Sequence, residues 1–296
     1  MHAIGPAKPD ERGPLPVRPR RRASAWRAPR TARWRLPDAQ GREARAAGSG
    51  RARAIVPALV LLGTPKVRSS GAWHDLPPSR WLAMLAYVAR CGTWVRREAL
   101  ATLFWPEHSR EHAYLNLRQM LQTIARSPAG PAFEREPVRV RWTGSTDVAE
   151  FEGHVKVGRW RAALDAYGGP LLDGLELAEV TPAQEWLEAE RRTLEDWWRT
   201  GALALAAEHL QRGRALDALA LADRLVRRDA LDEAALRIGL EAAVAAGDRQ
   251  RARHTFATFR GHLFDELGMG PEPETHSLVV RLGIADASKA PELSGS

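Results

Sequence analysis

The stretch that decides the fold is EHAYLNLRQMLQTIARS, residues 111–127, in which apolar residues recur at helical spacing. At 100° per residue, one arc of a helix collects Ala113, Leu117, Met120, Leu121 and Ile124. The opposite arc collects His112, Arg118, Gln119, Gln122, Thr123 and Arg126. The pattern predicts a helix with a buried face and a polar face. From composition alone, a merely solvated polar face and a binding face stay equally open.

Charge is distributed unevenly along the 296 residues, a length that suits about two domains. Residues 1–54 contain 13 Arg and one Lys against four acidic residues, a net charge of +10. Residues 55–150 carry +4 and residues 151–296 carry −6, so only the first of these two parts suits a polyanion.

Cysteine usage and hydropathy indicate the compartment. The single cysteine, Cys91, excludes a disulfide framework and fits a reducing cytosol. No apolar run approaches the roughly 18 residues of a membrane span. We therefore expect a cytoplasmic protein with no membrane partner.

Both ends of the chain are predicted to be disordered tails. Residues 1–54 are rich in Arg, Pro, Gly and Ala and show no apolar period and no apolar segment of the kind found in signal peptides. A basic arm on DNA phosphates and upstream sequence added by an early start site are equally good interpretations of this segment, so it receives no function. Residues 284–296 form the second predicted tail.

Residues 55–150 show strands, then three helices, then another strand. IVPALVLLGTPKV and SSGAWHDLP are typical of short strands broken by Gly and Pro. PPSRWLAMLAYVARCG predicts a helix with Ser79 at its N-cap and Gly92 at its end. RREALATLFWP predicts a second helix that stops before Pro106. The quoted stretch is the third helix, with Ser109 as N-cap.

The segment PVRVRW, residues 137–142, alternates in character. Val138, Val140 and Trp142 alternate with Arg139 and Arg141, which predicts a strand with one apolar and one cationic face. Strands, three helices and a hairpin in this order predict a winged helix-turn-helix domain at residues 55–150.

Residues 151–283 are predicted to be almost wholly helical, since Ala, Leu, Glu and Arg dominate there. Gly213 and Gly247 are 34 residues apart and each precedes a helix of similar pattern, which is the tetratricopeptide repeat length. The signature is degraded, because Ala230 stands where a proline is common. The predicted fold class is mainly α, with an N-terminal winged helix-turn-helix (α+β) followed by an α-helical tetratricopeptide-like repeat domain. The tryptophans at 186, 197 and 198 are expected to be packing residues.

Several blocks together resemble a known family. The blocks, in chain order, are LLGTPKVR, LPPSRWLAMLAYVA, REALATLFWPE, NLRQMLQTI, DVAEFE and the closing FDELGMGPEPETHSLVVRL. Their order resembles that found in bacterial transcriptional activator domain proteins of the Streptomyces antibiotic regulatory protein type. The resemblance runs from about Leu59 to Leu282. It implies that helix 109–126 enters the DNA major groove and that a hairpin near residues 134–142 is the wing. It also implies an activator domain that self-associates and contacts RNA polymerase.

Helix periodicity and this resemblance together select the candidate DNA-binding residues. Those for bases are Arg118, Gln119, Gln122 and Thr123, and those for phosphates are Arg126, Arg139 and Arg141. Asn116 lies at the edge of the polar arc, where a base contact and a structural hydrogen bond between helices are equally good interpretations. The resemblance further implies double-stranded DNA and RNA polymerase as partners, with the chain as a homodimer on DNA and a nucleoid-associated location.

The predicted function is a sequence-specific DNA-binding transcriptional regulator, an activator. The alternative is a helical-repeat interaction adaptor whose winged helix does not bind DNA. An enzyme is not expected: HSREH at 108–112 matches a zinc-peptidase pattern, but His108 falls before the helix has formed a shared face with His112. The sequence has no G-x-x-x-x-G-K-[ST] or G-x-S-x-G motif, and no metal or cofactor is predicted.

Overall fold

The computed structural model describes residues 58–177 and 181–284, which all belong to one contact unit. The predicted tail at residues 1–54 lies outside the described residues, as does the tail at 284–296 apart from Ile284.

Two small antiparallel sheets and three helices build the N-terminal part. In chain order the elements are β1 (Leu59–Val60), β2 (Lys66–Ser69), β3 (Ala72–Asp75), α1 (Arg80–Cys91), β4 (Val95–Arg96), α2 (Arg97–Phe104), α3 (Arg110–Arg126), β5 (Phe133–Arg135) and β6 (Arg139–Trp142). The first sheet has the order β1-β2-β3 and the second the order β4-β6-β5. This is the winged helix-turn-helix arrangement that the sequence predicts.

Local chemistry explains where the helices begin and end. Ser109 caps α3, because its hydroxyl oxygen accepts a hydrogen bond from the His112 backbone N–H. Gly92 ends α1 in the left-handed conformation, with φ of 62°. Ser79 holds the N-cap position of α1, but its hydroxyl donates to the Pro77 carbonyl (3.0 Å) and makes no capping bond.

The hairpin differs from the prediction at one residue. Val140 and Trp142 are buried as expected, but Val138 is 69% exposed, so its assignment to the apolar face is wrong. Val138 lies in the bend before β6 begins at Arg139, where alternation between faces does not apply. Its carbonyl accepts a hydrogen bond from the Arg97 N–H (3.0 Å), which ties the bend to the start of α2.

The rest of the described chain is helical, as predicted. Its helices are α4 (Asp147–Lys156), α5 (Trp160–Ala166), α6 (Pro182–Gln211), α7 (Ala215–Arg228), α8 (Glu233–Ala245), α9 (Arg249–Leu267) and α10 (Pro273–Arg281). Gly213 and Gly247, with φ of 71° and 85°, stand two residues before α7 and α9, so the 34-residue period does correspond to repeated helix pairs. The division predicted between residues 150 and 151 falls inside α4. Among the described helices, none is long and apolar enough to cross a membrane.

Buried polar contacts join the winged helix to the helical part. The Asp147 carboxylate accepts hydrogen bonds from the Leu61 and Leu62 N–H groups (2.9 Å each), so the start of α4 holds the segment after β1. Arg90 of α1 contacts Glu152 of α4 and Glu190 of α6, each at 2.8 Å. We call these last three residues the Arg90 cluster.

Aromatic contacts accompany these polar ones. Tyr87 of α1 meets Trp186 of α6 edge to face, with ring centroids 5.0 Å apart. Trp198 is 1% exposed and Trp197 is partly buried, so all three tryptophans are packing residues as expected. The predicted DNA-binding helix is thus carried on a part of the chain that is packed firmly against α4 and α6.

Candidate nucleic-acid interface

Helix α3 has the two faces that its sequence predicts. Ala113, Leu117, Leu121 and Ile124 are buried, and Met120 is partly buried. The apolar arc therefore packs against the core and fixes which side chains point outward.

The outward face is polar and accessible. It consists of the exposed residues Arg118, Gln119, Gln122, Thr123 and Arg126. No acidic residue occurs between Asn116 and Arg126, so this face carries only positive charge and neutral hydrogen-bonding groups. The Thr123 hydroxyl donates to the Gln119 carbonyl (3.2 Å), which leaves its oxygen free to accept and its methyl free for apolar contact.

Asn116 lies beside this face in a shallow hollow. The hollow is also lined by Trp81, Trp105 and Met120. Asn116 is half-buried, and its amide makes no hydrogen bond to any other residue that the structure describes. The interhelical hydrogen bond considered from the sequence is therefore absent from the described residues, and Asn116 keeps its polar groups available.

The two wing arginines have partners within the wing. Arg139 donates to both carboxylate oxygens of Glu136 (2.6 and 3.2 Å), and Arg141 donates to Glu134 (2.7 Å). The Arg141 pair follows from the strand register, since Glu134 lies directly opposite Arg141. The Arg139 pair lowers the pKa of Glu136, whose carboxylate accepts the guanidinium hydrogen bonds.

An aromatic ring orients the same two guanidinium groups. The guanidinium carbon (Cζ) lies 4.4 Å from the Trp94 ring centroid in Arg139 and 4.5 Å from it in Arg141. Both arginines are partly exposed, with 44% and 39% of their side chains accessible. The wing therefore presents two stacked cations whose acidic partners are themselves on the surface.

Three further cations belong to this region and were not predicted as site residues. Arg96 and Arg97 lie at the junction of β4 and α2, and Arg135 ends β5. Burial and the neighbouring charge of Arg135 lower the pKa of Arg97, and the Arg97 Nε is buried with no hydrogen-bond partner among the described residues. The sequence signal was RRE at a helix start, where backbone N–H groups favour anions.

Metal ligation finds no support in this region. His108 precedes α3, and the His112 Nδ1 contacts the Ser109 hydroxyl (3.2 Å). Across residues 58–177 and 181–284, no three His, Cys, Asp or Glu side chains come together as metal ligands. The predicted base- and phosphate-binding residues instead form a polar to cationic surface on α3 and the wing.

Comparison with known proteins agrees with this architecture. Residues 146–282 match the family model described as bacterial transcriptional activator domain. A search of curated protein sequences finds no match. Among solved structures, the chain is similar to Mycobacterium tuberculosis EmbR in complex with a low affinity phosphopeptide, with a TM-score of 0.57 and 20% sequence identity. That alignment covers 76% of this chain and 64% of that chain.

These comparisons define the class that the chain resembles. The matched family is a domain of bacterial transcriptional activators, and the structural likeness supports the fold alone. For residues 146–282 this match confirms the resemblance, noted in the sequence, to proteins with a bacterial transcriptional activator domain, and the structural likeness confirms the predicted fold.

Proposed function

We propose that this chain is a sequence-specific, double-stranded-DNA-binding transcriptional regulator that acts as an activator. The observation that carries the proposal is the outward face of α3, which is exposed and lacks acidic residues from Asn116 to Arg126. Arg and Gln side chains on a helix of this kind match the hydrogen-bonding edges of bases in the major groove. Arg118, Gln119, Gln122 and Thr123 contact bases in this proposal.

Phosphates are bound by Arg126 and by the wing arginines Arg139 and Arg141. Surface ion pairs contribute little to stability, so exchange of Glu134 and Glu136 for phosphate oxygens costs little. Stacking on Trp94 holds both guanidinium groups in place during this exchange.

The helical domain supplies the protein contacts in this proposal. Its match to the bacterial transcriptional activator domain supports RNA polymerase as a partner. We further propose that the chain is a homodimer on DNA and that the protein is cytoplasmic and nucleoid-associated. The organisation that we propose keeps a DNA-binding domain at residues 55–150 and an activator domain at residues 151–283. The α4 helix is shared at their boundary.

A second candidate is an interaction adaptor whose winged helix does not bind DNA. The ion pairs of Arg139 and Arg141 favour it, because both wing cations are already neutralised by neighbouring carboxylates.

DNA binding at a series of salt concentrations distinguishes the two candidates. The protein without residues 1–54 is titrated with a labelled promoter fragment, so that the basic segment cannot supply the salt dependence. For a regulator with several phosphate contacts, a plot of the logarithm of the binding constant against the logarithm of salt concentration is a falling line. Its slope is about −0.9 for each phosphate contacted. Absence of saturable binding at low salt would support the adaptor and contradict the regulator.

A further inference from the structure

A cleft lies between α7 and α9, far along the chain from the DNA-binding surface. It has a volume of about 350 Å³, within the range of small-molecule sites. Its walls include Leu219, Val226 and Leu236. None of its lining residues lies between 58 and 145, so the cleft is independent of the proposed DNA contacts.

Small residues of α8 keep the cleft open. Ala235, Gly239 and Ala243 line it, where larger side chains would fill it. A Cβ on Gly239 would lie 3.3 Å from the Ala222 Cβ, so α8 packs closely against α7 at this glycine. The cleft is therefore lined by α7, α8 and α9 together.

The charged residues that line the cleft are one acidic and two basic side chains. Asp223 of α7 and Arg251 of α9 form a two-oxygen ion pair (2.8 and 2.9 Å) that joins the two repeats at the cleft. Arg227, one turn after Asp223, is exposed and forms no ion pair with any residue in the described ranges. The half-buried Thr255 adds a hydroxyl group from α9. The lining thus has one uncompensated positive charge beside an apolar surface.

We propose that this cleft binds a small organic anion, a molecule with an apolar body and one negative charge. The apolar body occupies the space above Gly239 and Ala243, and the acidic group pairs with Arg227. Because the walls belong to two successive repeats, such a ligand contacts α7 and α9 together. It adds to the connection that the Asp223–Arg251 pair already makes.

Two matched fluorescent probes test the proposal on the full chain. One is 1-anilinonaphthalene-8-sulfonate, an aromatic anion, and the other is N-phenyl-1-naphthylamine, the same body without the charge. Arg227→Gln should weaken binding of the anion roughly three- to tenfold, the loss of one charge-assisted contact, and leave the neutral probe unchanged. The control is Arg253→Gln, which removes an exposed α9 arginine outside the cleft and should change neither probe.

A second pair of variants tests the location by filling space. Thr255→Phe should abolish binding of both probes, whereas Thr258→Phe, on the exposed side of the same helix, should not. The exposed apolar residue Phe264 offers the competing site for such probes, and Phe264→Ser should leave the signal intact. Thermal unfolding confirms that each variant is folded. The proposal is overturned if Phe264→Ser removes the signal, if folded Thr255→Phe binds normally, or if Arg227→Gln and Arg253→Gln weaken the anion equally.

Discussion

Replacement of Arg90 by Met should destabilise the whole described unit, because the Arg90 cluster joins the winged helix to α4 and α6. The Arg90 guanidinium lies 2.8 Å from both Glu152 and Glu190, and the three side chains are only 12%, 16% and 9% exposed. Removal of the cation leaves two carboxylates poorly solvated and without their main partner. Loss of one member of a buried ion pair costs about 3–5 kcal/mol, and we expect a loss in that range.

A second substitution, Glu190→Met, should restore part of the stability lost in Arg90→Met. In Arg90→Met with Glu190→Met, the most buried carboxylate is also removed, and apolar side chains occupy the space. Replacement of a buried ion pair by packed apolar groups is often close to neutral, so the double variant should be more stable than Arg90→Met alone. Arg192→Met, an exposed α6 position with no ion pair in the described residues, is the control and should change stability by less than about 0.5 kcal/mol.

Urea unfolding, followed by circular dichroism and by tryptophan fluorescence, measures these effects. It is performed at low salt and at 1 M salt, since screening weakens surface pairs much more than buried ones. The wild type should unfold in one transition by both probes, and the loss in Arg90→Met should persist at 1 M salt. A loss below about 1 kcal/mol, or one that vanishes at high salt, would show that the Arg90 cluster behaves as a surface ion pair and not as a buried one.

Three further predictions concern other parts of the chain. Deletion of residues 1–54 should leave cooperative unfolding and sequence-specific DNA binding intact, because that segment has no apolar period; loss of the unfolding transition would contradict this. Arg139→Ala with Arg141→Ala should weaken binding similarly on all sequences and reduce the salt slope by at most about two phosphate contacts, and an unchanged slope would show that the wing does not contact DNA. Burial raises the pKa of Asp147 to about 6, so the folded state binds more protons than the unfolded state between about pH 4 and pH 6. Stability contributed by this protonation is present below the unfolded pKa and is lost as pH rises through the folded pKa. Relative to Asp147→Asn, the wild type should therefore lose about 1–3 kcal/mol of unfolding free energy as pH rises from about 4 to about 6. Stability profiles of the two proteins that run parallel over this pH range would show that the pKa of Asp147 is not raised.

Periodicity was enough to predict helix α3 and its two faces, because apolar spacing in an amphipathic helix directly reports which side is buried. The 34-residue spacing of Gly213 and Gly247 likewise predicted the paired helices. Strand β4 was not predicted, since two residues, Val95 and Arg96, are too few to show alternation. Val138 was misassigned because alternation alone does not reveal where a strand begins.

The partners of the candidate residues could not be read from sequence. Glu134 meets Arg141 only because of the hairpin register, and Trp94 meets both wing arginines because β4 pairs with β6. Arg90 and Glu190 are 100 residues apart, and no local pattern links them. Contacts of this kind depend on tertiary packing, which amphipathic periodicity does not encode.

A binding selection on randomised duplexes tests most directly whether the outward face of α3 reads DNA sequence. The selection uses the wild type, Arg118→Ala, Gln119→Ala and, as a control for the buried face, Leu121→Ala, each with a melting curve. Gln119→Ala should remain within about 0.5 kcal/mol of wild-type stability, because its side chain is exposed. Leu121→Ala should lose roughly 2–5 kcal/mol through lost burial and the cavity left behind, and its DNA binding should fail only as it unfolds.

A good base contact contributes about 1–3 kcal/mol of discrimination, so each polar variant should relax the preference at a base-pair position while nonspecific affinity persists. If folded Arg118→Ala and Gln119→Ala both select the wild-type sequence, α3 does not read the major groove and the proposed role of its outward face is wrong.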